Sequence, residues 1–123
     1  MQFKRSLVIL AAAAVSTSLA ACGGGDGENS SGRAEGVTGV PDGAPYVDQD
    51  GLRFHPTSLK VAASETVYFK NSESALHTVA INGKNESGAM KRDAIYTWTP
   101  AEPGEYKISC EFHPQMKATI TVE

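Results

Sequence analysis

The run Tyr106-Lys107-Ile108-Ser109-Cys110-Glu111-Phe112-His113-Pro114-Gln115-Met116 sets a thiol, an imidazole and a thioether close together directly after a β-patterned segment. In an extended strand alternate side chains share a face, so Tyr106, Ile108 and Cys110 point the same way. Tyr106 and Ile108 are core-type residues, which directs Cys110 inward at the end of its strand. The chain must then loop, and Pro114 fixes part of that loop. Upstream, His77, Val79 and Ile81 share a face by the same rule, and two of the three are core-type. His77 is therefore expected to point inward at the start of its strand. Two inward donors at strand ends, with His113 and Met116 from one loop, can meet at one end of a β structure.

The sequence around these residues is β throughout. Thr66-Val67-Tyr68-Phe69, Thr78-Val79-Ala80-Ile81, Ile95-Tyr96-Thr97-Trp98 and Ala118-Thr119-Ile120-Thr121-Val122 are rich in β-branched and aromatic side chains. Leu59–Val61 and Tyr46–Phe54 read as weaker strands. Asn82-Gly83, Ser87-Gly88, Pro100 and Pro103-Gly104 supply the turns between them. No long window carries a helical stripe. The expectation is an all-β domain over residues 46–123, a small Greek-key sandwich of seven to eight strands.

The 123-residue chain carries more than this domain. Residues 1–21 place Lys4 and Arg5 before an apolar run from Leu7 to Val15, the layout of a secretory signal peptide. They end in Leu19-Ala20-Ala21-Cys22, followed by a glycine-rich stretch. This resembles the lipobox of bacterial lipoproteins, in which the cysteine is acylated and becomes the new N-terminus. Residues 22–45 hold eight glycines and few large apolar side chains, which predicts a flexible, lipid-anchored linker. An acylated Cys22 leaves Cys110 without a disulfide partner. A lone thiol outside the cytoplasm is easily oxidised, and a bound metal would protect it.

Removing Lys4 and Arg5 with the signal leaves nine basic against fourteen acidic side chains, a net charge of −5. A mildly acidic chain without a basic run makes a poor nucleic-acid binder. No second apolar segment approaches the roughly 20 residues of a membrane helix, which excludes a channel or transporter.

Two imidazoles, a thiolate and a weak axial thioether are the donor set of a blue-copper site. Soft sulfur favours Cu(I), while imidazole serves both oxidation states. The pattern C-x-x-H-P-x-M, with N-x5-H upstream, is similar to the cupredoxin family. Within it the spacing resembles amicyanin, since plastocyanins and pseudoazurins carry a longer gap before the Met, and the resemblance as a whole is to amicyanin and plastocyanin-like domains. Pro103-Gly104-Glu105-Tyr106 resembles the usual lead-in to the cysteine strand, and Gly88-Ala89-Met90-Lys91-Arg92 a stretch that amicyanins carry. The resemblance implies one copper ion held by His77, Cys110, His113 and Met116, with Asn71 bracing the ligand loop from behind. Phe112 and Glu111 depart from the amicyanin pattern, where Pro and a hydroxyl residue stand.

The expected function is single-electron transfer between a redox protein donor and an acceptor, by a lipid-anchored monomer at the cell envelope, on its periplasmic or extracellular face. Phe112, Pro114 and Met90 are expected to form an apolar electron-transfer patch beside His113. Copper storage or delivery is the alternative, although such sites tend to be exposed and rich in Met or His. An enzyme is not expected. A Cys110–His113 pair would need an orienting third group and an oxyanion hole, and Met116 would have no role in it. His55, far from any partner donor, reads as structural or exposed.

Overall fold

The computed structural model describes residues 32–123. The signal segment and Cys22 lie outside the described residues. Among those described, nine strands form two facing sheets: β1 (Tyr46–Asp50), β2 (Arg53–His55), β3 (Ser58–Val61), β4 (Val67–Asn71), β5 (Ala80–Ile81), β6 (Lys84–Asn85), β7 (Ile95–Trp98), β8 (Gly104–Ser109) and β9 (Lys117–Val122). One sheet has the order β2-β1-β4-β7 and the other β3-β9-β8-β5-β6. The molecule is an all-β sandwich, as the alternating pattern predicts.

The alternation places the core. On β4, Val67, Phe69 and Asn71 face inward; on β9, Ala118, Ile120 and Val122 do the same. They pack with Val47, Phe54, Leu59, Val61, Val79, Ile81, Ile108, Cys110 and Met116 into one cluster. The two sulfur-bearing residues of the sequence motif are thus part of the hydrophobic core itself.

Pairing brings what the pattern could not. β1 lies parallel to β4 and β3 parallel to β9, while the other pairs are antiparallel. The Tyr46–Phe54 segment is not one strand but a hairpin, turned at Gly51 and Leu52, both at positive φ. The extra short strands raise the count to nine. Only Ala80 and Ile81 of the expected Thr78–Ile81 strand pair as β5.

Residues 32–45 depart from the expected linker. They lie against the outer side of the four-stranded sheet, where Ala34, Val40 and Tyr46 form a second buried cluster with Val37, Ala44 and Tyr68 against it. Backbone bonds run from Ala34 N to Ala44 O at 2.9 Å and from Tyr46 N to Gly32 O at 2.9 Å. Arg33 donates to Glu65 at 2.9 Å, and Lys70 donates to the Thr38 carbonyl at 3.0 Å. The glycines that suggest a loose chain serve as turn residues here. At Gly32, φ is +71° and a Cβ would come within 2.3 Å of Leu59 Cδ1; at Gly39, φ is +85° and a Cβ would sit 2.6 Å from Ile95 Cδ1. Glycine content alone does not separate a flexible tether from a tightly turned strap.

Candidate metal centre

The donors of the sequence motif converge where the sandwich closes. β8 ends at Ser109 and delivers Cys110 into the core, 3% exposed. His77 is fully buried and lies just before β5, bridged to Met90 by backbone bonds of 3.1 and 2.7 Å in the two directions. His113 is half-buried in the loop that follows Cys110. Its carbonyl accepts from the Met116 amide at 2.9 Å, closing a turn that returns Met116 to the core at 1% exposure.

The ligating atoms of His77, Cys110 and His113 all lie within 4.8 Å of one another. The Cys110 sulfur stands 3.8 Å from His77 Nδ1 and 3.7 Å from His113 Nδ1. Both imidazoles thus turn the same nitrogen toward one thiol, with ring centroids 4.9 Å apart and planes at 60°. Sites 33 residues apart in sequence are brought together by the antiparallel pairing of β5 with β8.

What surrounds the donors fixes them. His77 Nε2 lies 2.6 Å from a carboxylate oxygen of Glu73, which leaves Nδ1 for the site. Burial pushes the Glu73 carboxyl up. The bonds it accepts from the Leu52 amide and from His77 outweigh that and hold it below its ordinary range. The Thr78 amide donates to the Cys110 sulfur at 3.4 Å, and the Thr78 hydroxyl accepts from the Glu111 amide at 2.9 Å. Thr78 is itself fully buried.

Two expectations change here. Asn71 does not clip the ligand loop. Its side-chain amide donates to the carbonyls of Ala75 and Met90 at 2.7 and 2.9 Å, and its oxygen accepts from the Glu73 amide at 2.9 Å. It braces the loop that carries Glu73 and His77, and the tie to the cysteine loop is made by Thr78. Glu111 has no part in a bond to Asn71; its carboxylate accepts from Asn85 at 2.9 Å. Met90 is 3% exposed and cannot belong to a surface patch, because its bridge to His77 carries it under the site. Phe112 and Pro114 are exposed, and Leu76, next to His77, is a 44% exposed leucine. Nothing in the composition around Leu76 distinguishes it from a core residue. Glu73 is legible in principle, since an acid four residues before a buried histidine can return to it.

His55 stands apart, with Nε2 3.1 Å from the Asp50 carbonyl. It closes the β1–β2 hairpin.

The profile of the cupredoxin-like domain matches residues 7–122. Amicyanin of Paracoccus denitrificans is 31% identical over 90 residues, covering 68% of this chain and 69% of the relative. Plastocyanin A/B of Petroselinum crispum is 32% identical over 89 residues, covering 61% of this chain and 92% of the relative. The crystal structure of amicyanin from Paracoccus versutus superposes with a TM-score of 0.64 at 31% identity, covering 69% of this chain and 86% of that one. A reduced amicyanin variant with phenylalanine in place of a proline gives 0.62 at 32% identity, with 69% and 87% covered. The chain belongs to the cupredoxin-like family, of the amicyanin and plastocyanin type.

The residues present fit copper. The donor set is soft and mixed, with a thiol and two imidazoles converging, two of the three buried and His113 half-buried, and a buried thioether in the returning turn. A zinc site of structural type would want four strong tetrahedral donors, and the cluster offers three.

Proposed function

We propose that this protein carries single electrons between two redox proteins at the cell envelope, using one copper ion held by His77, Cys110, His113 and Met116. The observation that supports it most is the convergence of three donor atoms within 4.8 Å inside a core that is already tied in place. Bound copper supplies a one-electron couple in this setting.

The chain's own residues do the rest. Glu73 holds His77 by its far nitrogen, so the near nitrogen needs no reorientation when the metal enters or changes charge. Thr78 holds the cysteine sulfur from one side and the following amide from the other. Met116, returned to the core by the turn that the His113 carbonyl closes, would supply the weak thioether donor. Phe112, exposed at 50%, and Pro114, also exposed, flank His113 in the chain and would offer a partner an apolar approach to it. A small apolar patch of this kind suits brief redox encounters, which bury little area.

The envelope location is supported by the sequence of the first 22 residues, with Lys4 and Arg5, the apolar run, and Leu19-Ala20-Ala21 before Cys22. Acylation at Cys22 would anchor the domain to a membrane.

The test is a titration of the protein with Cu(II). An intense blue colour is expected, from charge donation by the Cys110 thiolate, and Cys110→Ser should abolish it. A colourless copper complex, or selective tetrahedral zinc binding, would sink the electron-carrier function.

A further inference from the structure

Gln49 carries the one buried side-chain polar atom among the described residues that has no hydrogen-bond partner, its Oε1. The residue is fully buried on β1. An orphaned acceptor in the core is unfavourable, so the amide is kept there by what its other end does. That end, Nε2, donates to the Thr78 carbonyl at 3.2 Å. Turning the amide over would set two acceptor oxygens face to face, so its orientation is fixed.

The bond crosses the sandwich. β1 belongs to the four-stranded sheet, whereas Thr78 leads into β5 of the five-stranded one. Thr78 is then tied at three points: its carbonyl to Gln49, its hydroxyl to the Glu111 amide at 2.9 Å, and its amide to the Cys110 sulfur at 3.4 Å. The Gln49 backbone is pinned as well, since its carbonyl accepts from the Ser72 amide at 2.9 Å. No hydrogen bond of the Gln49 side chain reaches a donor of the metal cluster.

We propose that Gln49 is a positioning residue for the metal centre, holding Thr78 so that its amide stays on the Cys110 sulfur and thereby raising the reduction potential. This rests on the electron-carrier reading above. An N–H donor draws charge from a thiolate and favours the reduced state, which has the greater electron density to share. With the carbonyl tie gone, Thr78 can relax away from the sulfur and the potential should fall.

Gln49→Met keeps the length of the side chain and removes the donor. Val47→Ala serves as the control, because Val47 lies on the same inward face of β1 and is equally buried. Gln49→Met is expected to lower the potential and shift the visible band, while Val47→Ala weakens the fold and leaves both in place. In the copper-free protein, hydrogen exchange of the Thr78 amide should speed up roughly three- to tenfold in Gln49→Met, the worth of one ordinary hydrogen bond. If Gln49→Met does not fold, Gln49→Leu takes its place. An unchanged potential together with unchanged Thr78 exchange overturns the proposal, as does a Val47→Ala variant that moves the potential equally. A wild-type protein that takes no blue copper overturns the function instead; a Thr78 amide that still responds in the copper-free state would support the positioning role.

Discussion

A carboxylate oxygen of Glu73 lies 2.6 Å from Nε2 of His77, and the histidine is fully buried while the acid keeps a fifth of its side chain in solvent. The imidazole is therefore held from outside by a charged group that water can still reach. Glu73→Ala should lower copper affinity about 10–100-fold, the usual cost of losing an outer partner of a metal-binding histidine. Glu73→Gln keeps the shape and removes the charge. Its reduction potential should be higher than wild type, since a nearby negative charge favours the oxidised, more positive site. Competition with a copper chelator reads the first and voltammetry the second; equal potentials for Glu73→Gln and wild type would rule out the electrostatic role.

Met116 tests the axial position. Met116→Leu keeps an apolar side chain of similar volume, so the cost in stability should stay below about 1.5 kcal/mol. Loss of the thioether should raise the potential by favouring Cu(I), with the blue colour retained. A potential that does not move would make Met116 a packing residue only.

Acid should loosen the strap formed by residues 32–45. The Arg33 guanidinium, hydrogen-bonded to Glu65, holds that carboxyl below its ordinary value of 4.5, against the opposing effect of burial. A proton is bound more weakly in the folded state, so the clip is fully present above pH 4.5 and is lost as pH falls through the lowered value. Urea midpoints should fall between pH 6 and pH 3 in wild type, and Glu65→Gln should remove part of that fall. Gly32→Ala should destabilise at every pH, by more than about 1 kcal/mol, because φ is +71° and Leu59 blocks the added methyl. Full stability in Gly32→Ala would mean that the strap does not pack in solution.

Phe112 tests the surface beside His113. Phe112→Asp should slow electron self-exchange between copies of the protein, because docking would have to desolvate a charge. Phe112→Leu should leave it nearly unchanged. Stopped-flow or NMR line-broadening measurements decide, and equal rates for Asp and Leu would move the docking surface elsewhere.

The legibility of fold and centre in the sequence depends on the kind of signal each residue carries. Alternation with Ile108 directs Cys110 inward, as a sandwich enforces; His77 is inward as expected, but it precedes β5 in a run buried at every position from His77 to Ile81, so alternation alone does not place it. Phe112 and Pro114 flank a loop histidine, and a tight loop has only an outside for them. Met90 escapes such reasoning because it lies far from His77 in sequence, and only the bridge between them puts it beneath the site. Thr78 and Gln49 leave no trace, since a threonine ahead of a strand and a glutamine in a hairpin are ordinary residues until the two sheets face each other. The strap is hidden by its glycines: composition counts them, but only φ values show that they turn the chain rather than loosen it.

The parallel pairing of β3 with β9 also joins segments far apart in the chain. Ser58 lies beside Thr119 and Leu59 beside Ile120, so β3, at the edge of the five-stranded sheet, has no neighbour there until β9 is made. The loop from Cys110 to Met116 joins β8 to β9 and closes when these two neighbours pair. Contacts this distant in sequence make folding slow, on the order of milliseconds to seconds. His77 and Cys110 are likewise gathered by the pairing of β5 with β8, from 33 residues apart, so an ion that meets the unfolded chain finds scattered donors instead of a pocket.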